Sequence, residues 1–305
     1  MRVLALFGPT AVGKTGVAIA VADRLRERGE DPVAVNCDSI QVYKGLEVLS
    51  AAADAEQQKR LEHRLLSFVE PSEEFSAGRY AELAHAEIDS LLAEGRRPIV
   101  VGGTGLYLRA ALADLDLRPP VPDEVRTEVE REIGERGSAA LHAELDPELA
   151  AGVDPNDRKR IARLTELTRA GIDPARSSER LWTAELRHPT LLVGLSMARG
   201  QLGERIDERV DEMVASAAAD EARRAAAAGA SRTARAALGF EELLNGNPRA
   251  MKRAHRQYAR RQLTWMRRME DVVVVDRTAR DDADVAGEIV GLLDLADAAA
   301  GANAE

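Results

Sequence analysis

The feature that most constrains this chain is an apolar run, Val3 to Phe7, leading directly into Gly8-Pro9-Thr10-Ala11-Val12-Gly13-Lys14-Thr15. The octet fits the phosphate-loop pattern G-x-x-x-x-G-K-[ST] at every fixed position, and Gly16 to Arg28 space their apolar side chains as a helix does. Strand, glycine-rich turn and helix is the context the pattern needs. The glycines let backbone N–H groups turn inward around phosphate oxygens, and the helix N-terminus adds partial positive charge. Gly8, Thr10, Ala11, Val12, Gly13, Lys14 and Thr15 are therefore the expected set around a di- or triphosphate. Lys14 neutralises phosphate charge, and the Thr15 hydroxyl is the expected ligand of Mg2+. The motif alone leaves open which phosphate binds and what is done with it.

Further along, strands and helices alternate. Asp31 to Asn36 reads as a second strand ending in Cys37-Asp38-Ser39-Ile40-Gln41-Val42-Tyr43, polar groups at the strand edge where ligands collect in open α/β sheets. Residues 51 to 64 read as a polar helix and Leu65 to Val69 as a short apolar run. Ser76 is the expected N-cap of a helix reaching about Glu94. Ile99 to Val101 is the next buried strand, ending in Gly102-Gly103-Thr104-Gly105. Three prolines within 119–122 mark a boundary. Beyond it the chain reads as helical from Asp123 to about Arg187, with Asp154 to Asp157 capping the helix that carries Arg158 to Arg163. Pro189 to Ser196 and Asp271 to Asp276 read as strands, the Ala-rich stretch 214–230 as helix, and the tail after Ala298 as frayed. The expected fold class is α/β: a phosphate-loop parallel sheet flanked by helices, residues 1–117 and 189–305, interrupted by a helical insertion at 118–188.

A single cysteine, Cys37, excludes an intramolecular disulfide and a Cys-based zinc module, and the five histidines lack metal-ligand spacing. No run approaches the ~20 apolar residues of a membrane span, and the N-terminus enters a strand without signal-peptide architecture, so a cytoplasmic protein is expected. The net charge of −10 argues at first against a nucleic-acid partner, but binding follows local clusters. Between Arg249 and Met269 lie eight Lys and Arg residues and no acid, with Tyr258 and Trp265 interleaved; Arg158-Lys159-Arg160 and Arg163 form a second cluster. A basic helix is often just a solvated face, but two such clusters on an acidic chain together favour a nucleic-acid site.

Asp38 is the carboxylate placed for acid–base work, as Mg2+ ligand or general base, unless it merely caps its turn. Thr104 offers one hydrogen bond from a turn tight enough for close approach to a ligand. No second apolar strand ending in an Mg2+-holding Asp is expected, and protein-kinase and GTPase-switch features are missing. The residues favour transfer to or from a phosphorylated small molecule.

Six stretches in order then carry a resemblance: the phosphate loop, Asp38 to Tyr43, Pro71 to Ser76, Val101 to Tyr107, Pro155-Asn156-Asp157 with Arg160 to Arg163, and Tyr258 to Trp265. The set resembles the tRNA dimethylallyltransferase family over nearly the whole chain. The resemblance implies transfer of a five-carbon prenyl group from dimethylallyl diphosphate to N6 of the adenine 3′ to the anticodon. The phosphate loop would grip the leaving diphosphate with Mg2+, and Asp38 would take the amine proton. Thr104 would contact substrate beside it. It also implies that Asp38, Ser39, Ile40, Gln41 and Thr104 line the adenine site, and that Arg126, Lys159, Arg160, Ile161, Ala162 and Arg163 touch the tRNA anticodon stem-loop. A monomer is expected. The chain departs from the family pattern at Leu49 to Asp54, which lack its Lys and Pro, at Ala236 and Arg235 before Gly239-Phe240, at His255, and at Ala215 to Ala219 past Met213. Other readings are an adenine-nucleotide prenyltransferase, a phosphate-loop small-molecule kinase, and an RNA-binding protein without catalysis.

Overall fold

The computed structural model describes residues 1–174 and 185–302. Six strands, β1 (Val3–Phe7), β2 (Pro32–Asn36), β3 (His63–Arg64), β4 (Arg97–Gly102), β5 (Thr190–Ser196) and β6 (Val273–Asp276), form one sheet in the order β3-β2-β4-β1-β5-β6. Every pairing is parallel, with Phe7 opposite Gly102 and Asn36 opposite Val101. Parallel strands need helical crossovers, which cover both faces and explain why β1, β2 and β4 are buried at every position. On one face Leu4, Leu6, Ile99 and Val193 pack with Val17, Val21 and Leu25 of α1 (Lys14–Arg26) and with Val285, Ile289 and Leu293 of α15 (Asp282–Ala302). Strand alternation sends Val3, Ala5, Phe7 and Val100 to the other face, where α4 (Ala77–Ala93) packs on α5 (Gly105–Leu112). There Tyr80 and Tyr107 stack with ring centroids 4.3 Å apart.

The chain divides into two compact units, Met1–Leu115 with Arg180–Glu305, and Asp116–Glu179. The second contains α6 (Asp123–Arg136), α7 (Ser138–His142), α8 (Pro147–Ala150) and α9 (Arg158–Arg169) around Val129, Ile133, Leu141 and Ile161. Asp157 caps α9 by accepting from the Arg160 N–H, and Ser76 caps α4 through the Arg79 N–H.

Three expectations change. The polar helix at 51–64 shrinks to α3 (Ala55–Arg60), because Asp54 and Gln57 form a reciprocal capping box that fixes its start and buried Leu61 turns extended. His63 and Arg64 pair with β2 instead, a strand of two residues with no sequence periodicity of its own. Helix α15 runs past Ala298 to Ala302, as its alanines favour. The helical expectation for 175–184 lies outside the described residues, and Glu185 to Arg187 are not helical. Among the described residues no helix is long and apolar enough to cross a membrane.

Leu4, fully buried in the central part of the sheet, and Val274, 55% exposed on its edge strand, test this arrangement. Leu4→Ala is expected to lower the unfolding free energy by about 2–5 kcal/mol, and Val274→Ala by no more than about 0.5 kcal/mol. Urea denaturation midpoints measure both.

Candidate active site

Because β4 is threaded between β1 and β2, its terminal turn separates the phosphate loop from the Asp38 turn. Neighbouring strands lie about 4.8 Å apart, so β1 and β2 are about 10 Å apart. Gly103 lies in the turn between their ends. A Cβ there would collide with the Gln262 amide and come within 3.3 Å of Lys14 Nζ.

Lys14 opens α1 and folds back over the loop, donating to the Gly8 and Pro9 carbonyls at 3.0 Å each. Its pKa is lowered to about 8, first by burial and then by the charge of Arg209, while Asp38 and Cys37 pull the other way. Gly13 sits at φ 90°, and a side chain there would run into the Arg277 guanidinium. Ala11 takes a left-handed φ of 63° without being glycine, local strain of the kind held at ligand-binding turns. Thr10 and Thr15 are half-buried, whereas Gly8, Ala11 and Val12 are buried.

The Asp38 turn is built by Asn36, which is almost fully buried. Its Oδ1 accepts from the Asp38 N–H at 3.1 Å, and its Nδ2 donates to the Asp38 and Leu65 carbonyls at 3.2 and 3.0 Å. Tyr80 Oη donates to the Asn36 carbonyl from behind at 2.9 Å. Asp38 Oδ1 accepts the Ile40 N–H at 3.0 Å. Its other oxygen accepts no hydrogen bond from the described residues and is the one a substrate amine can use. Next to it the Ser39 N–H donates to Thr104 Oγ1 at 3.1 Å, with Ser39 Oγ at 3.3 Å and Tyr258 Oη at 3.4 Å from the same atom. Thus Asp38, Ser39, Thr104 and Lys14 are brought together. Gln41 is committed elsewhere: its Nε2 donates to the Ser50 and Ala51 carbonyls, and Ile40 is half-buried. Cys37 is fully buried, and burial followed by the Asp38 charge pushes its thiol well above the usual range, so it stays neutral.

Five residues of the site carried no sequence signal for their role. Gln262 and Tyr258 on α14 (Pro248–Met266) bond the Gly103 carbonyl at 2.7 and 3.3 Å. Arg209 on α10 (Arg199–Ala215) acts electrostatically on Lys14 and Asp38, and its Nη2 reaches the Ala51 carbonyl at 3.5 Å. Two cations then face one carboxylate, a balance that suits a multiply charged anion. Arg277, following β6, donates to the Val12 carbonyl and pairs with Asp282, bracing the loop from below. Asn36 is the fifth. The apolar run of β6 ends in an acid, Asp276, but not one facing the phosphate loop. That carboxylate sits at the sheet edge, accepting from the Thr278 N–H and hydroxyl, which hold it below the usual carboxylate range.

The basic stretch forms most of α14, where Arg253, Arg256, Arg260 and Arg261 are exposed. Lys252 pairs with Asp211 and Arg256 with Asp207, so part of the stripe is neutralised. In the insertion Lys159 and Arg160 are exposed. Arg126 lies against Asp123, and Arg163 bonds the Arg118 and Pro119 carbonyls. Ile161 is fully buried in that unit's core, with Ala162 packed against it, so their side chains serve packing and the exposed cations carry the helix's outer face.

The departures from the family pattern are accommodated structurally. Glu221, on α11 (Ala218–Ala227), accepts from the Val48 and Leu49 N–H groups, anchoring the stretch that lacks Lys and Pro. Arg235 turns to Glu241 and the face of Phe240. His255 is buried, donating Nδ1–H to the Met251 carbonyl, with its pKa lowered by burial.

As to a metal, no group of three or more His, Cys, Asp or Glu side chains converges among the described residues. Mg2+ binds few protein oxygens and takes the rest from phosphate and water, and the Thr15 hydroxyl, beside Lys14 on the first turn of α1, is the oxygen that could hold it.

Fold and site together define a phosphate-loop α/β protein with a strand-end carboxylate facing the loop. A family model described as IPP transferase matches residues 41–269, and the chain belongs to that family. The tRNA dimethylallyltransferase of Anaeromyxobacter dehalogenans (strain 2CP-C) is 41% identical over 286 residues, 90% of this chain and 94% of that protein. That of Thermobifida fusca (strain YX) is 37% identical over 307 residues, 94% of each chain. The crystal structure of the full-length tRNA isopentenylpyrophosphate transferase from Bacillus halodurans superposes with a TM-score of 0.70 at 31% identity, covering 98% of this chain and 99% of the other.

Removing the brace under the loop tests its importance. Arg277→Met, which leaves the Val12 carbonyl without its donor, is expected to lower the unfolding free energy by about 1–3 kcal/mol in urea titrations.

Proposed function

We propose that this protein is a tRNA dimethylallyltransferase, moving a dimethylallyl group from dimethylallyl diphosphate to N6 of the adenine 3′ to the tRNA anticodon. The observation that carries the reading is that the phosphate loop and the Asp38 carboxylate face each other across Gly103. Family membership supplies the reaction class.

In the proposed step the exocyclic amine attacks C1 of the allyl group as the C1–O bond breaks. The bonding pair leaves with the diphosphate, and the amine proton passes to the free oxygen of Asp38. Lys14 and Arg209 neutralise charge building on the departing oxygens, aided by the N–H groups opening α1. Mg2+ held by Thr15 would supply further charge neutralisation to the diphosphate. Thr104, oriented by Ser39 and Tyr258, supports the adenine beside Asp38. The base must leave its stack to reach this position. Exposed cations of α14, with Lys159, Arg160 and the Arg126 and Arg163 region of the insertion, are assigned to tRNA phosphates. The protein is proposed to act as a cytoplasmic monomer.

Incubating the protein with dimethylallyl diphosphate, Mg2+ and unmodified tRNA should add one C5H8 unit to the adenosine, read by mass analysis of RNA digests. Prenylation of AMP but not of tRNA would contradict the proposal. Asp38→Asn is expected to lower kcat by about 10²–10⁴-fold, with donor affinity little changed in calorimetry.

Lys14 sets a pH dependence. With a pKa of about 8 in the free protein, it is charged below pH 8 and loses its proton above. A bound diphosphate favours the charged form and raises that pKa. Donor binding should therefore take up more protons at pH 8.5 than at pH 7, measured by calorimetry in buffers of different ionisation enthalpy, and should weaken as pH rises through 8.

A further inference from the structure

The proposed chemistry gives no task to Gln262, yet its side chain is placed as few others are. It is 4% exposed, in the middle of the basic helix α14, and both ends of its amide are engaged by turns from different strands. Oε1 accepts the N–H of Thr10, in the phosphate loop after β1, at 2.8 Å. Nε2 donates to the carbonyl of Gly103, in the turn after β4, at 2.7 Å. One helical turn earlier Tyr258 adds a second donor to the Gly103 carbonyl at 3.3 Å and approaches Thr104 Oγ1 at 3.4 Å. A primary amide presents a donor and an acceptor side by side without a charge, which suits joining an N–H on one turn to a C=O on the next. A Cβ on Gly103 would occupy the space of Nε2, so the glycine and the glutamine are matched.

We infer that Gln262 is a positioning residue for the transfer, a clamp that fixes the phosphate loop against the Gly103–Thr104 turn and so shapes the diphosphate site. This rests on the reading of the loop as a diphosphate grip. The Thr10 N–H, held by Gln262, is turned away from ligand duty, and the tether sets the approach of the following residues up to Lys14. The clamp reaches the site from the helix whose outer face carries Arg253, Arg256 and Arg260, yet it is itself buried, so its removal acts on the diphosphate and not on RNA contact.

The test compares wild type with Gln262→Met, which keeps the volume and loses both bonds, and with Gln262→Glu, which keeps an acceptor for Thr10 and, when ionised, has no donor for the Gly103 carbonyl. Mg2+ with inorganic diphosphate is the calorimetric probe, and an anticodon stem-loop RNA is the binding control. Gln262→Met should weaken diphosphate binding and raise the KM for the prenyl donor about tenfold, the weight of one net hydrogen bond. Its kcat and RNA affinity should stay within a few-fold of wild type. Exchange of the Thr10 amide hydrogen should accelerate in Gln262→Met and remain slow in Gln262→Glu, while amides of β1 keep their protection in both. A folded Gln262→Met with wild-type donor KM and a protected Thr10 amide overturns the inference and leaves the proposed function standing. A wild-type protein that neither binds Mg2+–diphosphate nor prenylates tRNA overturns both.

Discussion

The ammonium of Lys14 lies 3.3 Å from where a side chain on Gly103 would begin, and this clearance determines what the site can be. The order β2-β4-β1 forces the end of β4 between the phosphate loop and the Asp38 turn. Any side chain there would displace the Gln262 amide and press on the Lys14 ammonium. With glycine in place, a cation from one strand end and an acid from another lie in half-buried positions where each acts on the other's charge. The lowered pKa of Lys14 is the mark of that environment: burial disfavours its charge and Arg209 adds to the effect, while Asp38 only partly offsets them.

What supports this space is largely remote in sequence. Arg277, 264 residues beyond Gly13 in the chain, braces the loop where glycine at φ 90° leaves room for a guanidinium. Gln262 and Tyr258 hold the turn beside it, and Glu221 and Arg209 anchor the 48–51 backbone to which Gln41 also binds. The stretch that departs most from the family pattern is thus held by the buried Glu221 carboxylate and by Arg209. The charged helix α14 is less uniformly positive than its composition, because Asp207 and Asp211 of α10 pair with two of its cations.

Much of this was legible in the sequence because the signals are local. The phosphate loop is a contiguous octet, buried parallel strands are short apolar runs, and Ser76 and Asp157 are caps whose partners lie three residues away. The illegible parts depend on long-range pairing. A two-residue strand such as β3 exists only because β2 runs alongside it, and it has no periodicity to read. Gln262 lies in a motif noticed for its basic residues, and nothing local separates an amide that bridges two loops from one facing solvent. Ile161 follows from the same limit: within a basic cluster its burial is set by Val129, Ile133 and Leu141, which come from other helices. Asp276 shows the reverse, an apolar run ending in an acid whose edge position turns it to a local cap.

On the proposed function, the phosphate loop grips a leaving diphosphate and is not a site of nucleotide hydrolysis. The most direct measurement is the stoichiometry of products when the wild-type protein turns over dimethylallyl diphosphate with unmodified tRNA in the presence of Mg2+ and ATP. One inorganic diphosphate released for each prenyladenosine formed, with ATP unconsumed, is the predicted result. Release of orthophosphate or ADP in step with turnover, or diphosphate release without prenyladenosine, would contradict it.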